Sequence, residues 1–137
     1  MSFDVIMALD VGGRRIGVAI ANSEIRLVRP LTTLENGPRF FDELGQLIRA
    51  HSVKRLVIGL PRSLDGQATA QTETVRAFAA KLEKHVDIPL HWQDEAVTSR
   101  QAEAELQRRK KPYAKEDIDA LAATYILEDF LQENKEP

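Results

Sequence analysis

Two five-residue runs, Val5-Ile6-Met7-Ala8-Leu9 and Leu56-Val57-Ile58-Gly59-Leu60, contain no polar side chain. Successive side chains of a strand point to opposite faces, so a strand with one wet face alternates apolar with polar residues. A run that is apolar throughout belongs to a strand covered on both faces. The chain is therefore expected to build a sheet with a layer on each side, and the rest of the sequence supplies helices for those layers.

The remaining elements follow from spacing. Ile16-Gly17-Val18-Ala19-Ile20 alternates large with small residues, which predicts a strand whose Ile16, Val18 and Ile20 meet a core while Gly17 and Ala19 admit a close neighbour. Gly12-Gly13 breaks the chain before it, so the first two strands are expected to form a hairpin. A third strand around Arg26 to Leu34 contains Pro30, which confines it to an edge or interrupts it. Asn36-Gly37-Pro38 marks a turn, after which Phe40, Phe41, Leu44, Leu47 and Ile48 recur at helical spacing up to His51. A helix carrying Val75, Phe78, Ala79 and Leu82 runs to about His85. Ile88 to Trp92 forms a short strand ending at Asp94-Glu95. Thr98 with Gln101 fits a capping box that opens a further helix, and a last helix runs from about Glu116 to Leu131. Strands first, then helices alternating with two more strands, predicts an α/β mixed sheet flanked by helices.

Length limits this to one domain spanning residues 1–137, because a chain of 137 residues supports a single core. Hydrophobic residues at 43% and charged residues at 29% match a folded globular protein. A formal charge of -2 rules out a global positive field, so a nucleic-acid partner would have to meet a local patch. Cysteine is absent, which excludes disulfides, thiolate metal sites and thiol nucleophiles. The N-terminal segment does not read as a signal peptide, and no apolar stretch approaches the roughly 20 residues of a membrane span. A cytoplasmic protein with no membrane association is expected.

Three acidic positions fall where an α/β sheet collects ligands, at the carboxyl ends of its strands. Asp10 ends the first strand, Asp94-Glu95 end the last, and Asp119 lies near the start of the last helix with Ala122, Ala123 and Ile126 three, four and seven positions on, on or beside the inward face. Each also has a purely structural reading. Asp10 could bond the turn at Gly12 and Gly13, Asp119 could complement the helix dipole, and Asp94-Glu95 could cap or end a solvated loop. Together they suggest carboxylates joined by a divalent cation, which hard oxygen ligands favour and which supports phosphodiester hydrolysis. Of Asp94 and Glu95, the longer Glu95 is the better placed to reach back to such an ion. His51, His85 and His91 show no zinc-binding spacing.

Basic residues surround these acids in the sequence. Arg14 and Arg15 follow the glycine turn, Arg62 follows the second buried strand, and Arg108-Arg109-Lys110-Lys111 precede Tyr113 and the last helix. Such side chains neutralise phosphates and a tyrosine can stack on an unpaired base, although a cationic helix end stopped by Pro112 accounts for the run equally well.

Four segments, LDVGGRRIGVAI, VIGLPRSLDG, QDEAVTS and DIDALAATYIL, resemble in order and spacing the YqgF family of bacterial RNase H-like proteins, described as Holliday junction resolvases. The resemblance spans about Val5 to Leu131. It implies an RNase H-like fold with a five-stranded mixed sheet whose first three strands are antiparallel, and a nuclease dependent on Mg²⁺ or Mn²⁺. It places catalytic and metal-binding roles on Asp10, Glu95 and Asp119, with Asp94 as the alternative ligand. Four-way DNA junctions and the precursor of 16S ribosomal RNA are the substrates it implies, and junction cutting would suit a homodimer. Gly13 stands where the family usually has threonine, and Ala96 where it usually has arginine. Two competing expectations are a nucleic-acid-binding module with weak or no catalysis, acting with ribosomal RNA or the transcription machinery, and, from the Asp-x-Gly-Gly turn, a phosphate-binding domain like those of sugar kinases and actin-like ATPases.

Overall fold

The computed structural model describes residues 4–25, 27–61, 68–95 and 115–133. It contains β1 (Val5–Val11), β2 (Arg15–Asn22), β3 (Val28–Glu35), α1 (Phe40–His51), β4 (Val53–Pro61), α2 (Ala70–Leu82), β5 (Leu90–Glu95) and α3 (Lys115–Glu133). The five strands form one sheet in the order β3-β2-β1-β4-β5. β1 pairs antiparallel with β2 and β2 with β3, while β4 lies parallel to β1 and β5 parallel to β4. This is the mixed sheet, antiparallel over its first three strands, that the resemblance implies.

Both apolar runs occupy the middle of the sheet, side by side, with Leu9 opposite Ile58. Their alternate residues serve two separate cores. Met7, Leu9, Ile16, Val18, Leu56 and Ile58 pack against Phe40, Leu44, Val75 and Leu82 from α1 and α2. Ile6, Ala8, Ala19, Ala21 and Val57 pack against Ala123, Ile126, Leu127 and Phe130 of α3. Polar side chains had no place at either set of positions, which is why the runs are apolar throughout.

Several boundaries differ from expectation. β1 continues through Asp10 to Val11, and β5 starts at Leu90 and runs through Asp94 to Glu95, so the acids sit within strand ends rather than after them. β3 lies at an edge and passes through Pro30, and the register with β2 shifts between Val18 and Ala19, the irregularity that lets a residue without an N–H sit in the ladder. α2 stops at Leu82, and His85 beyond it stacks on Phe41 with ring centroids 4.1 Å apart. The helix expected to open at Thr98 lies outside the described residues. Among those described, no helix is long and apolar enough to cross a membrane.

Candidate active site

The sheet polarity brings three strand ends to one edge. The C-terminal ends of β1, β4 and β5 point there, and β2, running the other way, begins there. Gly12 closes the β1–β2 turn by donating its N–H to Arg15 O at 2.9 Å. Asn36 braces the same turn, with its Nδ2 donating to Gly12 O and its N–H to Arg14 O, both at 2.8 Å. Across the sheet, α2 begins at this edge. Its capping residue Thr69 accepts from the N–H of Thr72, and the buried Thr72 hydroxyl donates to Pro61 O at the end of β4.

Asp10 pairs with Gly17 in the β1–β2 ladder, so both face the α3 side of the sheet. Gly17 is where that helix touches down. A Cβ built on Gly17 would lie 1.9 Å from the carbonyl oxygen of Asp119, so only glycine permits the approach. The side chain of Asp119 accepts a hydrogen bond from Arg15 Nε at 2.6 Å, forming a partly buried ion pair between residues 104 positions apart. Burial raises the pKa of Asp10 from 3.8 to about 7, and the negative charge of Asp119 adds to the rise.

Strand alternation sorts the two acids at the end of β5. Gln93 and Glu95 pair with Gly59 and Pro61, on the α3 side, whereas the exposed Asp94 pairs with Leu60, whose side chain belongs to the α1/α2 core. Glu95 therefore shares a face with Asp10 and Asp119, and Asp94 does not. Two strands over and two residues along, the Cα of Glu95 lies roughly 12 Å from that of Asp10 by strand geometry. A glutamate spans part of that gap better than an aspartate. The buried Gln93, two positions before Glu95 on the same face, donates from Nε2 to Glu133 of α3 at 2.7 Å.

As a donor set these residues offer oxygen only, which suits a hard divalent cation. Two carboxylates close enough to raise a pKa by repulsion, one of them desolvated, are the arrangement that a bound cation relieves. Among the described residues, no three acidic or histidine side chains converge on one point that could hold an ion. Asp10 lies close enough to Asp119 to feel its charge, and Glu95 stands further along the same face.

Of the basic positions singled out in the sequence, Arg14 and Arg15 lie at this edge, Arg15 engaged with Asp119. Arg62, Arg108, Arg109, Lys110 and Lys111 lie outside the described residues. Sequence reasoning read Asn36 only as part of a turn, and its brace on the glycine loop was missed. The signal available was an Asn-Gly pair directly after a strand. His91 packs against Phe130 at 5.4 Å, away from the acids, and its pKa is lowered by burial and then by Arg55.

The family profile described as "RuvX: Holliday junction resolvase" matches residues 4–133. A protein of Chloroflexus aurantiacus named "Putative pre-16S rRNA nuclease" is 39% identical over 96% of this chain and 88% of its own. One of Moorella thermoacetica with the same name is 41% identical over 92% and 93%. Among solved structures, T. thermophilus RuvC in complex with Holliday junction substrate matches with a TM-score of 0.54 at 15% identity, covering 94% of each chain. Fowlpox virus resolvase, solved with substrate Holliday junction DNA, matches with a TM-score of 0.56 at 8% identity over 96% of this chain and 99% of that one. These distant structures share the fold, which is RNase H-like as expected.

Proposed function

The chain belongs to the RuvX family, and from that premise we propose that it is a divalent-metal-dependent endonuclease acting on structured nucleic acid. The observation that carries this reading is the proximity of Asp10 and Asp119, from a central strand and from a helix, at the sheet edge where β1, β4 and β5 end. Asp10 and Asp119 would hold the cation, Mg²⁺ or Mn²⁺, with Glu95, further along the same face, as the third acid of the site. When bound, it supplies Lewis acidity for phosphodiester hydrolysis.

The protein's own residues do the rest. Gly17 keeps the Asp119 backbone against the sheet, so the carboxylate is delivered from a rigid element. Asn36 fixes the glycine turn that carries Arg14 and Arg15 to the rim, where a phosphate would be held by their charge. Arg62 and the run Arg108 to Lys111 would extend that grip along a nucleic-acid backbone. Because Asp94 faces the other side of the sheet, Glu95 is the acid of the pair assigned to the site.

For the substrate, the relatives' names favour the precursor of 16S ribosomal RNA, and the family's description favours a four-way DNA junction. A junction substrate would call for a symmetric homodimer, one site per strand. A precursor RNA would be cut in the cytoplasm and makes no such demand on symmetry. The test is cleavage of labelled junction DNA and of precursor 16S rRNA with Mg²⁺, with Mn²⁺ and with chelator, alongside Asp10→Asn. Metal-dependent cutting of one substrate, absent in the variant, is expected. Retained binding with no cutting of either substrate would instead support a non-catalytic binding module.

A further inference from the structure

Among the described residues, two contacts to β2 hold Asp119, and they act on different parts of it. The first fixes its backbone, since the carbonyl oxygen packs onto Gly17 where no Cβ intervenes. The second fixes its side chain, since Oδ2 accepts from Arg15 Nε at 2.6 Å. Arg15 and Gly17 alternate on the same face of β2, so one strand supplies both contacts. The helix is also seated by Gly17 and by the packing of Ala123, Ile126 and Leu127, so its docking does not rest on Arg15 alone. What the guanidinium governs is where the carboxylate points and what charge it meets.

That charge matters because Asp10 sits opposite Gly17 in the ladder, beside the same carboxylate. With no cation present, a positive group between the strand and the helix offsets the repulsion of two acids. Asp119 Oδ2 cannot serve the arginine and a divalent cation equally. The Nε–H already lies 2.6 Å from that oxygen, and an ion there would place two positive charges next to a third. Arginine keeps its charge at every accessible pH, so it cannot yield by losing a proton. It yields only by moving, and at about one third side-chain exposure it has an outlet toward the rim.

We propose that Arg15 is the resident counter-ion of the resting site, a positioning residue that holds Asp119 Oδ2 beside Asp10 until a divalent cation takes that oxygen, and whose released guanidinium then meets the substrate phosphate. This rests on the metal-dependent reading given above. It couples the two ligands: cation binding frees the group that grips nucleic acid, so each strengthens the other's binding.

The experiment is a calorimetric titration of Mn²⁺ into the full chain without nucleic acid, for the wild type, Arg15→Gln, Asp119→Asn and the double variant. Arg15→Gln is expected to bind Mn²⁺ about tenfold more tightly, because a competing positive charge has gone. In the Asp119→Asn background the same change is expected to have an effect of about twofold or less, since the contested oxygen is absent. Nucleic-acid affinity, read by fluorescence anisotropy with Ca²⁺, is expected to rise with the cation in the wild type and much less in Arg15→Gln. If Arg15→Gln does not fold, Arg15→Lys carries the test, with a smaller gain in Mn²⁺ affinity expected because it keeps the charge and loses the planar donor. Unchanged or weaker Mn²⁺ binding in the folded variant overturns the counter-ion role. No Mn²⁺ binding by the wild type at all would overturn the metal-dependent reading itself, a separate outcome.

Discussion

The two faces of the sheet are built on opposite plans. On the α1/α2 side, large residues fill the interlayer, with Met7, Leu9, Ile16 and Ile58 meeting Phe40, Leu44 and Leu82. On the α3 side Ile6 and Val57 are joined by Ala8, Ala19, Ala21, Gly17 and Gly59, and over these small residues the helix comes down until its backbone touches β2. Large interlocking side chains set a spacing and supply most of the apolar burial. Small ones surrender burial and gain proximity, which is what brings a helix-borne carboxylate beside a strand-borne one. The molecule thus separates the face that holds it together from the face that brings its acids together, and mutations should separate along the same line.

The largest expected effect is on the bulky face. Phe40 is 1% exposed and lies edge-on to Phe41 with ring centroids 5.4 Å apart. Phe40→Ala should cost about 3–5 kcal/mol in urea unfolding while leaving the rate of cleavage per folded molecule unchanged. A changed rate would show that the two faces are coupled.

Next comes Asp10, whose effect should have the opposite sign. Its pKa in the folded chain is raised to about 7 from 3.8, so the folded state binds the proton more tightly than the unfolded one. Stability is therefore greatest at the acidic end of that window and falls as pH rises from about 4 to about 7. Asp10→Asn removes the penalty, and at pH 8 should stabilise the fold by about 3–4 kcal/mol, while abolishing cleavage. At pH 4 the two proteins should unfold at nearly the same urea concentration. Equal stability at pH 8 would mean that this acid is not strained by its surroundings.

The smallest effects compare two glycines of the close-packed face. A Cβ on Gly17 meets backbone, the Asp119 carbonyl, whereas one on Gly59 meets the Ile126 Cδ1 methyl at 2.4 Å, the end of a side chain that can rotate. Gly17→Ala should cost about 1–3 kcal/mol and displace α3, lowering kcat by about a hundredfold, since misplacement by about 1 Å is that expensive. Gly59→Ala should cost about 1 kcal/mol or less and keep most activity. Similar losses of activity from both would remove Gly17 from its special position.

The sequence was legible where one residue's environment is set by its own strand. The unbroken apolar runs located β1 and β4, and alternation in Ile16 to Ile20 marked Gly17 and Ala19 as the close-approach side before any helix was placed there. Asp10 and Asp119 were legible as acids in unusual positions. The extents of β1 and β5 were not, because a carboxylate at a strand end looks like a loop residue until a neighbouring strand pairs with it. The distinction between Asp94 and Glu95 depends on register: side-chain length favoured Glu95, whereas opposite faces of the pleat are what separate the two. The Arg15–Asp119 pair joins positions 104 apart and has no local signal at all.

The outer strand also bears on assembly. β3 closes one side of the sheet with Pro30 in it and a register shift beside it. A proline and an irregularity of register are among the devices by which edge strands resist extension by another chain's strand. Two copies that had to work on paired strands of a substrate would not do so by fusing their sheets across β3. They would have to meet on another part of the surface, and a contact made there through side chains would leave their relative orientation open to adjustment by the nucleic acid they share.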